Sequence, residues 1–68
     1  MKKKILTATT ERGDLCRCNN CGEYVLVPIE ETQCPFCHFD GTLTYALNDN
    51  VYSIEDKEIT DNFNIVRP

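Results

Sequence analysis

The sequence predicts a small, metal-stabilised, β-rich domain. Two C-x-x-C pairs, Cys18-Asn19-Asn20-Cys21 and Cys34-Pro35-Phe36-Cys37, stand twelve residues apart. The chain has 68 residues, and domains this short commonly need a metal, disulfides or a partner to offset their conformational entropy. Its apolar residues fall in short runs of strand character separated by Gly, Pro and Asn. Each cysteine pair offers two thiolates from one tight turn, and two such turns close a tetrahedral site. Structural metal sites in finger-like peptides contribute on the order of 10–16 kcal/mol. A typical domain's whole stability is about 5–15 kcal/mol, so metal loading and folding are expected to be one event.

The elements follow in order. Residues 5–10 are rich in β-branched side chains and contain no Gly or Pro, which predicts a short strand. Gly13-Asp14 is expected to punctuate it, and residues 15–17 lead into the first cysteine pair. Tyr24-Val25-Leu26-Val27 is the clearest strand, stopped by Pro28. Residues 29–32 are expected to turn the chain back, so that residues 24–27 and Thr32-Gln33 form a hairpin bringing both cysteine pairs to one end. Phe39-Asp40-Gly41 reads as a turn. Residues 42–47 alternate, with Leu43, Tyr45 and Leu47 on one face, as in a half-buried strand. Asn48-Asp49-Asn50 is expected to make a hairpin turn into a returning strand over residues 51–54. These residues make a domain over 1–54, followed by an acidic C-terminal segment over 55–68. There Glu55, Asp56, Glu58 and Asp61 outweigh Lys57. Ile59, Phe63 and Val66 fit helical spacing. Phe63 and Ile65 equally fit a strand that pairs with residues 5–9.

In a C-x-x-C turn the residue after the second cysteine takes positive φ, which lets backbone N–H groups point at the sulfurs. Gly22 suits that place after Cys21, and His38 occupies it after Cys37. Pro35 presets φ inside the second turn. On Cys18-Asn19-Asn20-Cys21-Gly22 and Cys34-Pro35-Phe36-Cys37, with strands beyond each, the chain resembles the zinc-ribbon family over roughly residues 15–47. The resemblance implies two knuckles that hold β-hairpins, and Zn2+ bound by Cys18, Cys21, Cys34 and Cys37. It says little about activity, because this fold serves in transcription, translation, enzyme subunits and adaptors alike.

Cys16, two residues before Cys18, could replace one ligand; a small free thiol is the simpler reading. His38 could replace Cys37, although adjacent residues rarely reach the same ion. Iron is an alternative occupant, since the loops also resemble those of rubredoxin and an S4 tetrahedron takes either ion. Rubredoxin spaces its loops farther apart around an aromatic core that includes Trp, and this chain has no Trp. A thioredoxin-type redox pair needs a βαβ scaffold that this short, strand-rich chain does not predict.

The formal net charge is −4, and four thiolates with one divalent ion would lower it further. An acidic surface disfavours nucleic acid, whose binding rests on Lys and Arg. Lys2, Lys3, Lys4, Arg12 and Arg17 are the residues that could gather into a basic patch against that trend. The odd count of five cysteines, and an apolar run after Met1-Lys2-Lys3-Lys4 too short for a secretory signal, point to a reducing, cytoplasmic setting. No apolar run approaches a membrane span. A closed four-cysteine site leaves no open position for substrate, and no nucleophile–base pattern or phosphate loop accompanies it, so no enzyme is expected. The expectation is a protein-interaction or regulatory module. Phe36 and Phe39 flank the second cysteine pair and are expected to pack over the site and against Leu43 and Tyr45, which burial would favour by roughly 1.5–3 kcal/mol each.

Overall fold

The computed structural model describes residues 3–48 and 50–67. The chain runs through β1 (Lys4–Ala8), β2 (Arg12–Cys18), β3 (Tyr24–Val27), β4 (Leu43–Tyr45), β5 (Val51–Ser53), α1 (Lys57–Asn62) and β6 (Phe63–Val66). The strands join in one sheet of order β4-β2-β3-β1-β6, with β5 also on β2. β3 pairs antiparallel with β2 and parallel with β1, and β1 pairs parallel with β6. The alternative pairing of residues 63 and 65 with the first strand is therefore realised, directly after a short helix.

Three expected connections differ. The strand over 24–27 does not fold back on Thr32-Gln33; its antiparallel partner is β2, and Gln33 makes only an isolated bridge to Asp40. Gly13-Asp14 does not punctuate the chain but lies inside β2. A Cβ on Gly13 would sit 1.9 Å from the Val27 carbonyl oxygen, so glycine is there because two backbones approach closely. β5 does not return along β4. Both pair antiparallel with β2, β4 at residues 16–18 and β5 at residues 12–14, so they run the same way along one edge. After β4 the Ala46 N–H still donates to the Leu15 carbonyl of β2 at 3.0 Å. Asp49, at the centre of the expected turn, lies outside the described residues.

Side-chain alternation along the sheet defines two faces. One carries Leu6, Ala8, Leu15 and Leu26, and packs with Tyr52, Ile59 and Phe63 into the main core. α1 is only six residues long and receives no side-chain cap; burial of Ile59 holds it. Thus α1 and β6, within the expected 55–68 segment, contribute to the same core as the strands. The opposite face carries Cys16, Val25 and Val27, with Leu43 against them. Leu43 is half-buried there as expected, but Tyr45 and Leu47 are exposed, while Ala46 packs on the main core. The ladder of β4 ends at Tyr45, so the alternation read over 42–47 does not continue to Leu47.

Over this second face, residues 28–31 turn sharply. The Glu31 N–H donates to the Pro28 carbonyl at 3.0 Å, and Glu30 takes a φ of 71°. The Glu30 N–H donates to Asp14 Oδ2 at 3.3 Å, which ties the turn to β2.

Gly13→Ala should destabilise the metal-loaded protein by about 3 kcal/mol, because the clash is with backbone that cannot give way. Glu30→Gly should stabilise it by about 0.5–1 kcal/mol, because a left-handed φ costs glutamate more than glycine. Chemical denaturation of the two variants beside the parent measures both effects.

Candidate metal centre

The two cysteine pairs sit in different parts of the fold. Cys18 ends β2 and Tyr24 begins β3, so the first pair forms the turn of a tight hairpin. The second pair lies in the loop closed by the Gln33–Asp40 bridge. Despite these different settings, the backbone repeats. The Cys18 N–H donates to the Glu23 carbonyl at 3.0 Å and the Cys34 N–H to the Phe39 carbonyl at 3.1 Å. The Gly22 N–H donates to the Cys18 carbonyl at 2.8 Å and the His38 N–H to the Cys34 carbonyl at 2.9 Å. Gly22 and His38 both take positive φ, at 78° and 62°, as their places after the second cysteines require.

These two knuckles bring the Sγ atoms of Cys18, Cys21, Cys34 and Cys37 within 4.8 Å of one another. Cys18 and Cys37 are 3.6 Å apart, as are Cys21 and Cys34. A tetrahedron with metal–sulfur bonds of about 2.3 Å has sulfurs about 3.8 Å apart. A disulfide needs about 2.05 Å, and all five cysteines are free. The donor set therefore fits a tetrahedral metal ion.

The surroundings suit negative sulfur. The Cys21 N–H lies 3.4 Å from Cys18 Sγ, and the Phe36 N–H lies 3.4 Å from Cys34 Sγ. The Thr42 hydroxyl stands 3.3 Å from Cys18 Sγ. Donation from Thr42, helped by the Cys21 and Asn20 backbones, lowers the Cys18 thiol from 9.0 to about 5. The Phe39 backbone and the Asn20 side chain lower Cys37. Cys21 receives a backbone N–H from Glu23, yet desolvation and the Cys18 and Cys34 sulfurs push it up to about 12. Neighbouring sulfurs and burial disfavour a further negative charge at Cys21, and a bound cation would relieve that penalty.

The four expected ligands thus converge. Cys16 and His38 are not part of the cluster. Cys16 is buried on the sheet, and burial, then the Asp14 charge, raises its thiol to about 11. His38 is exposed, and its role is its backbone angle. Thr42 and Asn20 support the sulfurs but carry no sequence signal that separates them from ordinary turn and strand residues. Phe36 and Phe39 do not pack over the site as expected: they are 47% and 58% exposed. The second knuckle is a surface loop whose centre is occupied by sulfur, leaving no apolar layer for either ring to join.

Of the expected basic residues, Lys4 and Arg17 meet around one ring. Lys4 Nζ is 4.9 Å and Arg17 Cζ 6.0 Å from the Tyr24 centroid, and Lys4 donates to the Tyr24 hydroxyl at 3.0 Å. That hydrogen bond lowers the Tyr24 pKa. Lys3 instead donates to the Thr60 carbonyl, Arg12 lies at the far end of β2, and Lys2 is outside the described residues. Among the described residues, no helix is long and apolar enough to cross a membrane. No protein-family model, curated protein or solved structure matches the chain.

Replacing any one of Cys18, Cys21, Cys34 or Cys37 by Ser should lose the bound metal and the cooperative unfolding transition together. Cys16→Ala and His38→Ala should keep one metal per chain. Elemental analysis with a thermal melt reads both outcomes. Iodoacetamide should leave Cys16 unmodified in the folded, metal-loaded protein and alkylate it after denaturation, because a buried protonated thiol is inert; mass spectrometry reads the site.

Proposed function

We propose that the protein is a small zinc-ribbon module with a structural Zn2+ on Cys18, Cys21, Cys34 and Cys37, and that it works by binding another protein. The observation that carries the interaction reading is the exposure of Phe36 and Phe39, each within two residues of a cysteine of the second knuckle. An aromatic ring held on a rigid loop loses little conformational freedom on docking, and such residues dominate interface energetics. Four protein ligands close the coordination sphere, so the zinc supports the fold and does not act as a Lewis acid. The module is not an enzyme on this reading. Five free thiols suit a reducing, cytoplasmic compartment.

The Lys4–Tyr24–Arg17 cluster favours a second reading, contact with nucleic acid by two cations and a ring. The acidic remainder of the chain opposes it. An iron-bearing electron carrier shares the same four ligands, and a red protein with visible absorption would replace zinc by iron.

Affinity capture of the zinc-loaded protein from its native lysate, with and without nuclease, separates the readings. A polypeptide should be retained after nuclease treatment. Retention lost with nuclease, and binding that falls steeply with added salt, would transfer the function to nucleic acid.

A further inference from the structure

We propose that the groove between β4 and the turn at residues 28–32 seats an arginine side chain presented by the partner polypeptide. This rests on the interaction reading and names the chemistry of the partner.

The groove encloses about 400 Å³, and its lining includes Asp14, Cys16, Glu30, Glu31, Leu43 and Tyr45. It holds three carboxylates, and none of its lining residues is Lys, Arg or His. The one ion pair among the described residues is Arg67–Glu11, so these acids have no cation of their own.

Asp14 sets the specificity. It is only 8% exposed. Its Oδ2 accepts the Glu30 N–H, and its other oxygen has no hydrogen-bond partner among the described residues. No side-chain oxygen there is sealed from solvent without a partner. That second oxygen is therefore accessible to solvent, on a residue that lines the groove. A nearly buried carboxylate with an accessible oxygen is suited to accept a further donor.

A guanidinium meets every feature of the groove. It is planar and weakly hydrated, and it can bridge carboxylates through paired N–H donors. Tyr45, 55% exposed, offers a ring face for stacking. Leu43 and Cys16 offer apolar surface for the methylene stem. A lysine ammonium is a more strongly hydrated point charge and gains less from the ring and the paired carboxylates. The acids are not gathered as metal ligands, since among the described residues only the four cysteines form such a cluster.

The test is an NMR titration of isotope-labelled, zinc-loaded protein with acetyl-glycyl-arginyl-glycinamide, beside its lysyl and citrullyl counterparts. The arginyl peptide should produce saturable shifts centred on Asp14, Glu30, Glu31 and Tyr45. It should bind about fivefold more tightly than the lysyl peptide, and the citrullyl peptide should not saturate. Asp14→Asn and Glu30→Gly should each weaken it about tenfold, the loss of one charge-assisted contact. Glu30→Gly is the safer variant, because the turn favours glycine there. Absence of saturation, equal binding of the citrullyl peptide, or shifts centred on residues 55–61 would overturn the proposal. Capture separates it from the reading beneath it. If Glu30→Gly/Asp14→Asn protein retains the parent's nuclease-resistant partner at equal yield, the groove assignment falls and the interaction reading stands. Loss of that partner with these substitutions, together with the arginine-selective titration, supports the groove.

Discussion

Four sulfurs within 4.8 Å of one another are the constraint on which the fold depends. Their environment lowers Cys18 and Cys37 while raising Cys21. A cluster that favours thiolate at two members and disfavours it at Cys21 suits a divalent cation, which would make the charges compatible. The chain between β3 and β4 shows how much hangs on this. Apart from the bridge between Gln33 and Asp40, it has no strand pairing of its own. It is held through Cys34 and Cys37 at one end and through the Asp14–Glu30 hydrogen bond at the other. That loop carries both walls of interest, the aromatic flank and the rim of the acidic groove.

The knuckles also show which parts of the molecule a sequence can express. Positive φ at Gly22 and His38 was legible because it is a local demand of the C-x-x-C turn. The convergence of the four cysteines was legible for the same reason, as each pair is preorganised by its own turn. The strand pairings were not. β2 contains Gly13, Asp14 and Arg17, poor strand residues taken singly, and it forms because β3 on one side and β4 with β5 on the other satisfy its backbone. Gly13 reads as punctuation in one dimension and as a point of close backbone approach in three. The β1–β6 pairing was only one of two open readings, because Ile59, Phe63 and Val66 fit helical spacing while Phe63 and Ile65 fit a strand; in the structure Ile65 stands beside Leu6.

The same limitation hid the exposed aromatics. Burial is a property of the face a residue lands on. Tyr45 is directly opposite Cys16 on the second face of the sheet, where Cys16 packs with Val25 and Val27 while Tyr45, on the edge strand, is exposed. A small domain cannot cover both faces of a six-stranded sheet with 68 residues. α1 packs on the first face through Ile59, and on the second the turn at residues 28–31 is tied to Asp14 of β2.

That division of labour separates charge as well. By the β2–β3 register, Arg17 pairs with Tyr24 on the α1 side of the sheet, and Asp14 pairs with Val27 on the metal side. Lys4 and Arg17 therefore gather around Tyr24 on one face, while Asp14, Glu30 and Glu31 gather on the other. One strand, β2, feeds both. Its alternation sends Leu15 and Arg17 one way and Asp14, Cys16 and Cys18 the other. The cysteines and the acidic groove consequently share a face, and the Lys4–Tyr24–Arg17 cluster lies on the other beside the acidic α1. A bound divalent ion neutralises only half the charge of four thiolates. On the proposed reading the face that carries the cysteines would stay negative with a divalent ion in place, which suits the arginine proposed for the groove.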